Sequence, residues 1–224
     1  EALSRVIAPA PSEFFPALKL PDVVHAFLGR VPGLDVHLER TEALARLEDH
    51  HRAALAELGL AKTKLIFGEQ VHGCEVATVS AATVSPVAGA DGLITADPTI
   101  CLGIYVADCC AVYLVHPERR VIALLHSGRK GSELGIVRVA IERMREEFGC
   151  DPAGMIVQLS PCIRPPSYEV DFAAMIRRDC EELGVRQVAD CGTCTATNLE
   201  RYYSYRVEKG KTGRMLALLA LRPV

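Results

Sequence analysis

Apolar residues recur at steps of three and four in three segments of the chain, which is the spacing of one face of an α-helix. The segments are residues 40–59, 132–148 and 171–183. The first segment places four leucines on one face and mostly charged residues around the rest, so it predicts an amphipathic surface helix. These leucines are Leu44, Leu47, Leu55 and Leu58.

The ends of the second and third helices carry residues that commonly cap helices. Ser132 is placed to cap the N terminus of the second helix, and Gly149 is placed to end it. Asp171 and Gly184 hold the same positions around the third helix. We therefore expect both helices to begin and end close to these residues.

Short runs rich in β-branched and other apolar residues predict strands between and after the helices. They are residues 64–67, 74–79, 92–95, 101–106, 111–116, 120–126, 155–159, 202–206 and 214–221. Many short strands combined with three helices predict an α/β or α+β fold. The chain has no internal repeat and no long linker, so we expect residues 1–224 to form a single domain.

The charge balance argues against large anionic partners. Lys and Arg total 25 against 28 Asp and Glu, so the chain has no broad basic field for nucleic acid or an anionic membrane. No apolar run approaches the roughly 20 residues of a membrane span. The first residues have neither the basic start nor the long apolar stretch of a secretory signal. We expect a cytoplasmic protein whose phosphate contacts, if any, are local.

Nine cysteines are spread over the chain, unlike the dense, even-numbered sets of small secreted domains. We expect most of them to be free thiols, with Cys101, Cys150 and Cys180 packed in the core. Cys191 and Cys194 have the Cys-x-x-Cys spacing of redox and zinc motifs. They form a single pair without a second one, so we assign them no role.

The most informative segment is residues 107–131, which predicts an antiparallel hairpin. Two apolar runs, 111–115 and 121–125, flank a short polar connection that contains Pro117. A tight turn at this connection would bring the two ends of the segment together.

The register of this hairpin decides which cysteine meets His126. A pairing centred between Pro117 and Glu118 places Cys109 directly opposite His126, with Cβ atoms about 4.5–5.5 Å apart. Cys110 then points to the other face, because side chains alternate along a strand. A slip of one residue would exchange the two cysteines, and we favour Cys109.

A thiolate beside an imidazole supports two kinds of chemistry. It can be a nucleophile with its base, or part of a zinc site that needs further ligands. His72 can supply a third ligand, because it lies in a loop between two predicted strands. Three protein ligands leave a tetrahedral zinc one open position, as in catalytic sites. The alternative for either histidine alone is an ordinary hydrogen-bonded polar residue at a strand end.

Six groups of short motifs occur in order between residues 70 and 215, and the similarity that they carry extends from about residue 25 to the C terminus. They are QVHG (70–73), ADGLIT (90–95), VADC (106–109), HSG (126–128), PCI with YEV (161–163 and 168–170), and YSYR with KTGRM (203–206 and 211–215). In this order they resemble the laccase-domain, or polyphenol oxidase, family, which is also described as a purine nucleoside phosphorylase family. The resemblance implies a four-layer α/β/β/α sandwich with mixed sheets, related to the fold of deamidating bacterial toxins.

The resemblance also implies a zinc site made by His72, Cys109 and His126. The implied activities are phosphorolysis of adenosine, inosine, guanosine and methylthioadenosine, and deamination of adenosine. Asp108 resembles the acidic residue beside the metal-binding cysteine, and Arg30 resembles the N-terminal active-site arginine. The expected partners are a nucleoside and phosphate, with no nucleic acid or membrane, and the expected state is a monomer.

Two basic residues are candidates for phosphate binding. Arg129 and Lys130 lead into the helix that we expect to start near Ser132, so their side chains and free backbone N–H groups could converge on an anion. The alternative is two solvated basic residues in a turn. We add Gln70 to the substrate-binding or phosphate-binding candidates.

The sequence departs from the family pattern around the expected site. It has no Trp, whereas the family usually continues the His126 motif with Trp-Arg-Gly. Thr197 also stands where the family has a second cysteine after Cys194. These changes leave the three metal ligands intact and bear on the substrate.

Three other functions remain open on sequence grounds. Cys109 and His126 could form a metal-free hydrolase or deamidase, or the chain could be a binding protein without activity. A copper polyphenol oxidase is disfavoured, because multi-copper clusters need many imidazoles and this chain has 7 His without a His-x-His pair. We treat copper as an adventitious occupant of the same site.

Overall fold

The fold is described from a computed structural model, which covers residues 7–224; the expectation about the first residues of the chain lies outside this part. The strands are β1 Ser12–Glu13, β2 Val23–Leu28, β3 Lys64–Phe67, β4 Val76–Thr78, β5 Gly92–Thr95, β6 Ile100–Val106, β7 Cys110–His116, β8 Val121–Ser127, β9 Ile156–Leu159, β10 Gln187–Asp190 and β11 Met215–Leu221. The α-helices are α1 Arg40–Glu57, α2 Arg129–Glu133, α3 Ile136–Phe148 and α4 Phe172–Glu182.

The strands form two mixed sheets. A five-stranded sheet has the order β1-β2-β11-β6-β3, and a six-stranded sheet has the order β10-β9-β7-β8-β5-β4. The parallel pairs lie at the edges, where β3 joins β6, β10 joins β9 and β4 joins β5. The predicted hairpin, β7 and β8, lies in the middle of the six-stranded sheet.

The two sheets pack face to face, and alternate side chains of β7 enter the two cores on either side of its sheet. Tyr113 and Val115 lie in the core between the sheets, whereas Val112 and Leu114 face the core beneath α3 and α4. The Tyr113 hydroxyl donates a hydrogen bond of 2.7 Å to the carbonyl of Ala26 in the other sheet. Strands buried on both faces read as continuous apolar runs, which is the pattern of β7 and β8.

Helix α1 covers the outer face of the five-stranded sheet. The ring of its buried His51 lies 6.0 Å from the ring of Tyr105 in β6. The buried stripe of α1 is Ala43, Leu47, His51 and Ala54, so of the four expected leucines only Leu47 is fully buried. Together with α3 and α4 on the far side, α1 completes the four α/β/β/α layers that the family resemblance implied.

The second predicted helix is in fact two helices, so the expectation of one helix over 132–148 was wrong. Gly135 takes a positive φ of 74° between α2 and α3 and turns the chain there. Ser132 caps neither helix, because its hydroxyl lies 2.8 Å from that of Ser127. Gly149 ends α3 with a φ of 66°, and Asp171 caps α4 by accepting a hydrogen bond from the N–H of Ala174, both as predicted.

One predicted strand is wrong, and two longer strands of the structure were not predicted. Residues 202–206 form no strand, and their buried Tyr202 and Tyr203 anchor a turn instead. Strands β2 and β10 were not predicted. None of the helices in the described part is both long and apolar enough to cross a bilayer.

Candidate metal centre

Three side chains from separate parts of the chain converge at one point. The ligand atoms of His72, Cys109 and His126 all lie within 4.8 Å of one another. The rings of His72 and His126 have centroids 4.8 Å apart and stand at 75° to each other. Within residues 7–224 this is the only group of three or more His, Cys, Asp or Glu side chains with metal-binding spacing.

The hairpin brings Cys109 to His126 in a register different from the predicted one. His126 pairs with Ala111, and Cys110 pairs with Ser127, so the expectation that Cys109 lies directly opposite His126 was wrong by two residues. A shift of two residues keeps every side chain on its predicted face. Cys109 therefore still reaches His126, while Cys110 is buried beneath the helices on the other face.

Gly128 makes room for the Cys109 thiol. Cys109 is one residue outside the last hairpin pair and so faces Gly128 across the end of the ladder. A Cβ atom at Gly128 would lie 2.5 Å from Sγ of Cys109, which is far closer than any van der Waals contact. The glycine of the His-Ser-Gly motif is therefore required by the position of the thiol.

A buried carboxylate holds both histidines in place. Asp91 accepts hydrogen bonds of 2.9–3.0 Å from the backbone N–H groups of Val71, His72 and Gly73. It also accepts a hydrogen bond of 2.8 Å from Nδ1 of His126. With Nδ1 engaged, Nε2 of His126 is the nitrogen left for a metal, as in carboxylate–histidine–zinc arrangements.

Asp91 belongs to the ADGLIT motif, yet it was not predicted as a site residue. Its contacts join segments that are 18 to 35 residues apart, and no local pattern predicts such contacts. The available signal was an acidic residue directly before the buried strand β5, where a carboxylate is costly unless it is hydrogen-bonded.

Without a metal, the thiol and the imidazole shift each other's pKa. Burial raises the pKa of Cys109, but the positive charge of His126 and hydrogen bonds from His126 and His72 outweigh burial and lower it to about 6. Burial lowers the pKa of His126, but the Cys109 thiolate and the Asp91 carboxylate outweigh it and raise it to about 9. The metal-free pair is therefore a thiolate and an imidazolium at neutral pH.

The three ligands line an open cavity of about 1070 Å³. Six basic residues line the same cavity, namely Arg40, Arg129, Lys130, Arg206, Lys209 and Arg214. Four aromatic side chains, Tyr105, Tyr168, Phe172 and Tyr205, are also in its wall. The cavity thus combines a metal-binding point, flat apolar surfaces and positive charge.

The predicted phosphate-binding residues reach this cavity from α2. This helix begins at Arg129, so the expectation of a start near Ser132 was wrong by three residues. Arg129 forms ion pairs with Glu133 at 3.0 Å and with Glu169 at 4.0 Å. Lys130 is exposed and forms no ion pair within the described residues.

Gln70 and Asp108 line the cavity, but their polar atoms are engaged by the protein. The Gln70 amide donates to the carbonyl of Tyr105 at 2.7 Å and accepts from its N–H at 2.9 Å. Asp108 accepts hydrogen bonds from the hydroxyls of Thr195 and Ser204 and from the N–H of Arg206, at 2.7–3.0 Å. Both side chains hold neighbouring segments in position.

Arg30 lies outside the set of side chains that line the cavity. Its guanidinium donates hydrogen bonds of 2.8 Å to the Glu208 carboxylate and of 3.0 Å to the carbonyl of Tyr202. Glu208 in turn accepts from the N–H of Ser204 and the hydroxyl of Thr212. Arg30 therefore anchors the segment that carries Tyr205, Arg206 and Lys209 into the cavity wall.

All nine cysteines are free thiols, which agrees with the expectation for most of them. Cys101, Cys150 and Cys180 are buried in the core, as predicted. Cys191 and Cys194 are half-buried, and neither lines the cavity of the metal centre.

Comparison with known proteins gives the family. Residues 29–173 and 168–222 match the family described as multi-copper polyphenol oxidoreductase laccase. The chain belongs to this laccase family. The family members that it resembles include a purine nucleoside phosphorylase of Deinococcus radiodurans, 30% identical over 241 residues that cover 92% of this chain and 93% of that protein. A purine nucleoside phosphorylase of Streptomyces coelicolor is also 30% identical, over 189 residues that cover 72% of this chain and 77% of that protein.

Two solved structures have the same fold as this chain. The hypothetical protein YfiH of Bacillus licheniformis superposes with a TM-score of 0.79 and 20% identity, covering 92% of this chain and 98% of that one. A Neisseria meningitidis protein superposes with a TM-score of 0.80 and 19% identity, covering 96% and 99%. At these identities the likeness concerns the fold alone.

Proposed function

We propose that this laccase-family chain is a zinc-dependent purine nucleoside phosphorylase. The observation that carries the proposal is the convergence of His72, Cys109 and His126 on the wall of a cavity large enough for a nucleoside and a phosphate. The relatives named purine nucleoside phosphorylase support the substrate class. The proposed substrates are adenosine, inosine, guanosine and methylthioadenosine, and adenosine deamination is a proposed second activity.

The donor set fits zinc. One thiolate and two imidazoles suit a tetrahedral zinc with one open position, and Asp91 orients His126 as outer-shell carboxylates do in such sites. The described residues form one group of candidate ligands, which suits a single ion and not a copper cluster. A zinc ion bound here would supply a Lewis acid beside the substrate.

The residues of the chain then have distinct tasks. The aromatic side chains of the cavity offer flat surfaces on which a purine base can stack. The basic side chains offer partners for phosphate. Gln70, Asp108 and Arg30 act as positioning residues, because each holds a segment of the cavity wall through its own hydrogen bonds.

Metal analysis and a nucleoside panel test this function. We expect protein purified without added metal to contain about one zinc per chain, and His72→Ala to lose it. His37→Ala is the matched control, because His37 is exposed and outside the cavity. Incubation of the panel with and without phosphate, followed by chromatography, should yield free base and ribose 1-phosphate only with phosphate. Ammonia and inosine from adenosine would reveal the deaminase activity.

A metal-free cysteine hydrolase or deamidase is the second candidate. The observation that favours it is the thiolate–imidazolium pair of Cys109 and His126, which is the activated state of a cysteine nucleophile. A protein that contains no zinc and keeps its hydrolase activity in the presence of a chelator would favour this candidate over the phosphorylase.

A further inference from the structure

Arg214 is a buried cation without a carboxylate partner. Only 8% of its surface is exposed, yet it forms no ion pair with any residue in the range 7–224. Its Nη1 donates to the carbonyls of Thr212 and Gly213, each at 2.9 Å. Its Nε and Nη2 donate to no described protein atom, and the side chain lines the cavity. A buried guanidinium is costly unless an anion accepts these hydrogen bonds.

The backbone places Arg214 beside the metal centre. Met215 pairs with Val106 in the antiparallel ladder of β11 and β6, so Arg214 lies next to the Ala107–Asp108–Cys109 segment. Its guanidinium carbon lies 5.8 Å from the centre of the Tyr205 ring. Arg214 lines the same cavity as His72, Cys109 and His126, close enough for the charges of Cys109 and Asp108 to act on it.

A second unpaired arginine lines the same cavity. Arg40 is the first residue of α1, and within the described residues it forms no ion pair and no side-chain hydrogen bond. Burial and the positive charge of Arg40 lower the pKa of Arg214. An oxyanion that binds both cations would offset the repulsion between them.

The other basic residues of the cavity are less suited to this task. Arg129 and Arg206 both pair with Glu169, at 4.0 Å and 3.2 Å, so their charges are already partly neutralised. Lys130 and Lys209 lack the planar fork that holds phosphate through two hydrogen bonds. The two hydrogen bonds of Nη1 orient the Arg214 guanidinium, and its Nε and Nη2 donate to no described protein atom.

We propose that Arg214 and Arg40 form the subsite for inorganic phosphate, in place of the sequence-predicted pair Arg129 and Lys130. The proposal rests on the phosphorolysis proposed above. In that reaction a phosphate oxygen forms a bond to C1′ of the ribose while the bond from C1′ to the purine nitrogen breaks. The bonding electrons leave with the base, and the proton of hydrogen phosphate ends on the base.

Phosphate binding and steady-state kinetics test this subsite. Calorimetric titration of zinc-loaded protein with inorganic phosphate measures binding without catalysis. We expect Arg214→Lys and Arg214→Gln to weaken phosphate binding about tenfold or more, because each removes charge-assisted hydrogen bonds. The KM for phosphate should rise in parallel while the KM for inosine changes by less than about threefold. Zinc content and the thermal midpoint show whether each variant is folded.

Arg40→Gln keeps the test valid if the Arg214 variants fail to fold, because Arg40 is exposed. It should weaken phosphate binding about threefold or more. Arg46→Gln, on the same helix and outside the cavity, is the matched control and should bind phosphate as the native protein does.

The outcomes separate this inference from the proposed function. Phosphate binding that depends on Arg214 and Arg40, in a protein without phosphorolysis, would uphold the oxyanion subsite and refute the proposed reaction. Phosphorolysis whose KM for phosphate is unchanged in Arg40→Gln and Arg214→Lys, but rises in Arg129→Gln or Lys130→Gln, would place phosphate at α2 and overturn the inference.

Discussion

The carboxylate of Asp91 accepts a hydrogen bond of 2.8 Å from Nδ1 of His126, and through its remaining lone pairs it also fixes the loop that carries His72. One buried side chain thus sets the position of two of the three candidate metal ligands. It offers oxygen acceptors to three backbone N–H groups and to an imidazole, and no other ionisable residue within 7–224 has this arrangement of donors. Asp91 is therefore the residue on which the geometry of the centre depends most.

Replacing Asp91 tests this dependence. In Asp91→Asn, one acceptor oxygen becomes an NH₂ group that faces N–H donors, so the loop and the His126 ring lose their orientation. We expect zinc affinity to fall about 10-fold to 100-fold, measured by competition with a chelator of known affinity. Asp97→Asn is the control, since Asp97 lies outside the cavity of the metal centre and its carboxylate accepts hydrogen bonds from Thr99. Equal affinities in the two variants would contradict the role of Asp91.

Gly128 provides a test of the Cys109 position. In Gly128→Ala the new methyl group would lie 2.5 Å from Sγ of Cys109, so the thiol must move away from the histidines. We expect less than stoichiometric zinc in metal analysis of a folded protein. Gly131→Ala is the control, because a Cβ there meets no atom closer than 3.4 Å. Full zinc occupancy in Gly128→Ala would show that the thiol has more freedom than the structure indicates.

The burial of His51 should make the stability of the fold depend on pH. Neither ring nitrogen of this buried residue has a hydrogen-bond partner in the described structure. Burial and the nearby His50 lower its pKa from 6.5 to about 4. The unfolded chain therefore binds the proton first, and stability falls as the pH drops from about 6.5 towards 4, by up to about 3 kcal/mol from this residue.

The variant His51→Leu should remove this part of the acid sensitivity. We expect chemical denaturation to give a smaller loss of stability between pH 7 and about pH 4.5 than in the native protein. Some loss should persist, because burial also lowers the pKa of His25 to about 4. His37→Leu changes an exposed histidine and serves as the control. An unchanged pH profile in His51→Leu would mean that His51 is not held neutral by the fold.

Replacing Arg30 tests whether this residue positions the cavity wall or contacts the metal or the substrate directly. In Arg30→Met the bonds to Glu208 and Tyr202 are lost, so the segment that carries Tyr205 and Arg206 should loosen. We expect faster proteolysis in this segment and a higher KM for the nucleoside, with zinc content unchanged. Arg201→Met, which removes a more exposed arginine paired with Glu13, is the control. Loss of zinc in Arg30→Met would contradict a purely positioning role.

The buried elements were predictable because their patterns are strong. Strands β7, β8 and β11 are continuous apolar runs. Helix α4 has a capping Asp171 at its N terminus and Gly184 just after its C terminus. The register of the hairpin could not be fixed from sequence, yet the correct cysteine was chosen, because an error of two residues preserves the face of every side chain.

The missed features depend on tertiary contacts or on single residues that break a pattern. His25 interrupts the apolar run of β2, and its ring accepts a hydrogen bond from the N–H of Phe15 that sequence does not reveal. Tyr203 alternates with polar residues like a strand residue, but its hydroxyl accepts a hydrogen bond from the N–H of Val31 and it lies in an irregular segment before a turn. Asp91 stands out only because it accepts hydrogen bonds from residues that are distant in the sequence. Arg214 stands out only because it is buried without an ion-pair partner among the described residues.

The reaction itself tests the central proposal most directly. Zinc-loaded protein is incubated with inosine, and ribose 1-phosphate is quantified with and without phosphate, alongside the Cys109→Ser variant. The account predicts that ribose 1-phosphate forms in equal amount to the released base, only when phosphate is present, and far more slowly in Cys109→Ser. Base released at the same rate without phosphate, or no base released by fully zinc-loaded protein, would contradict it.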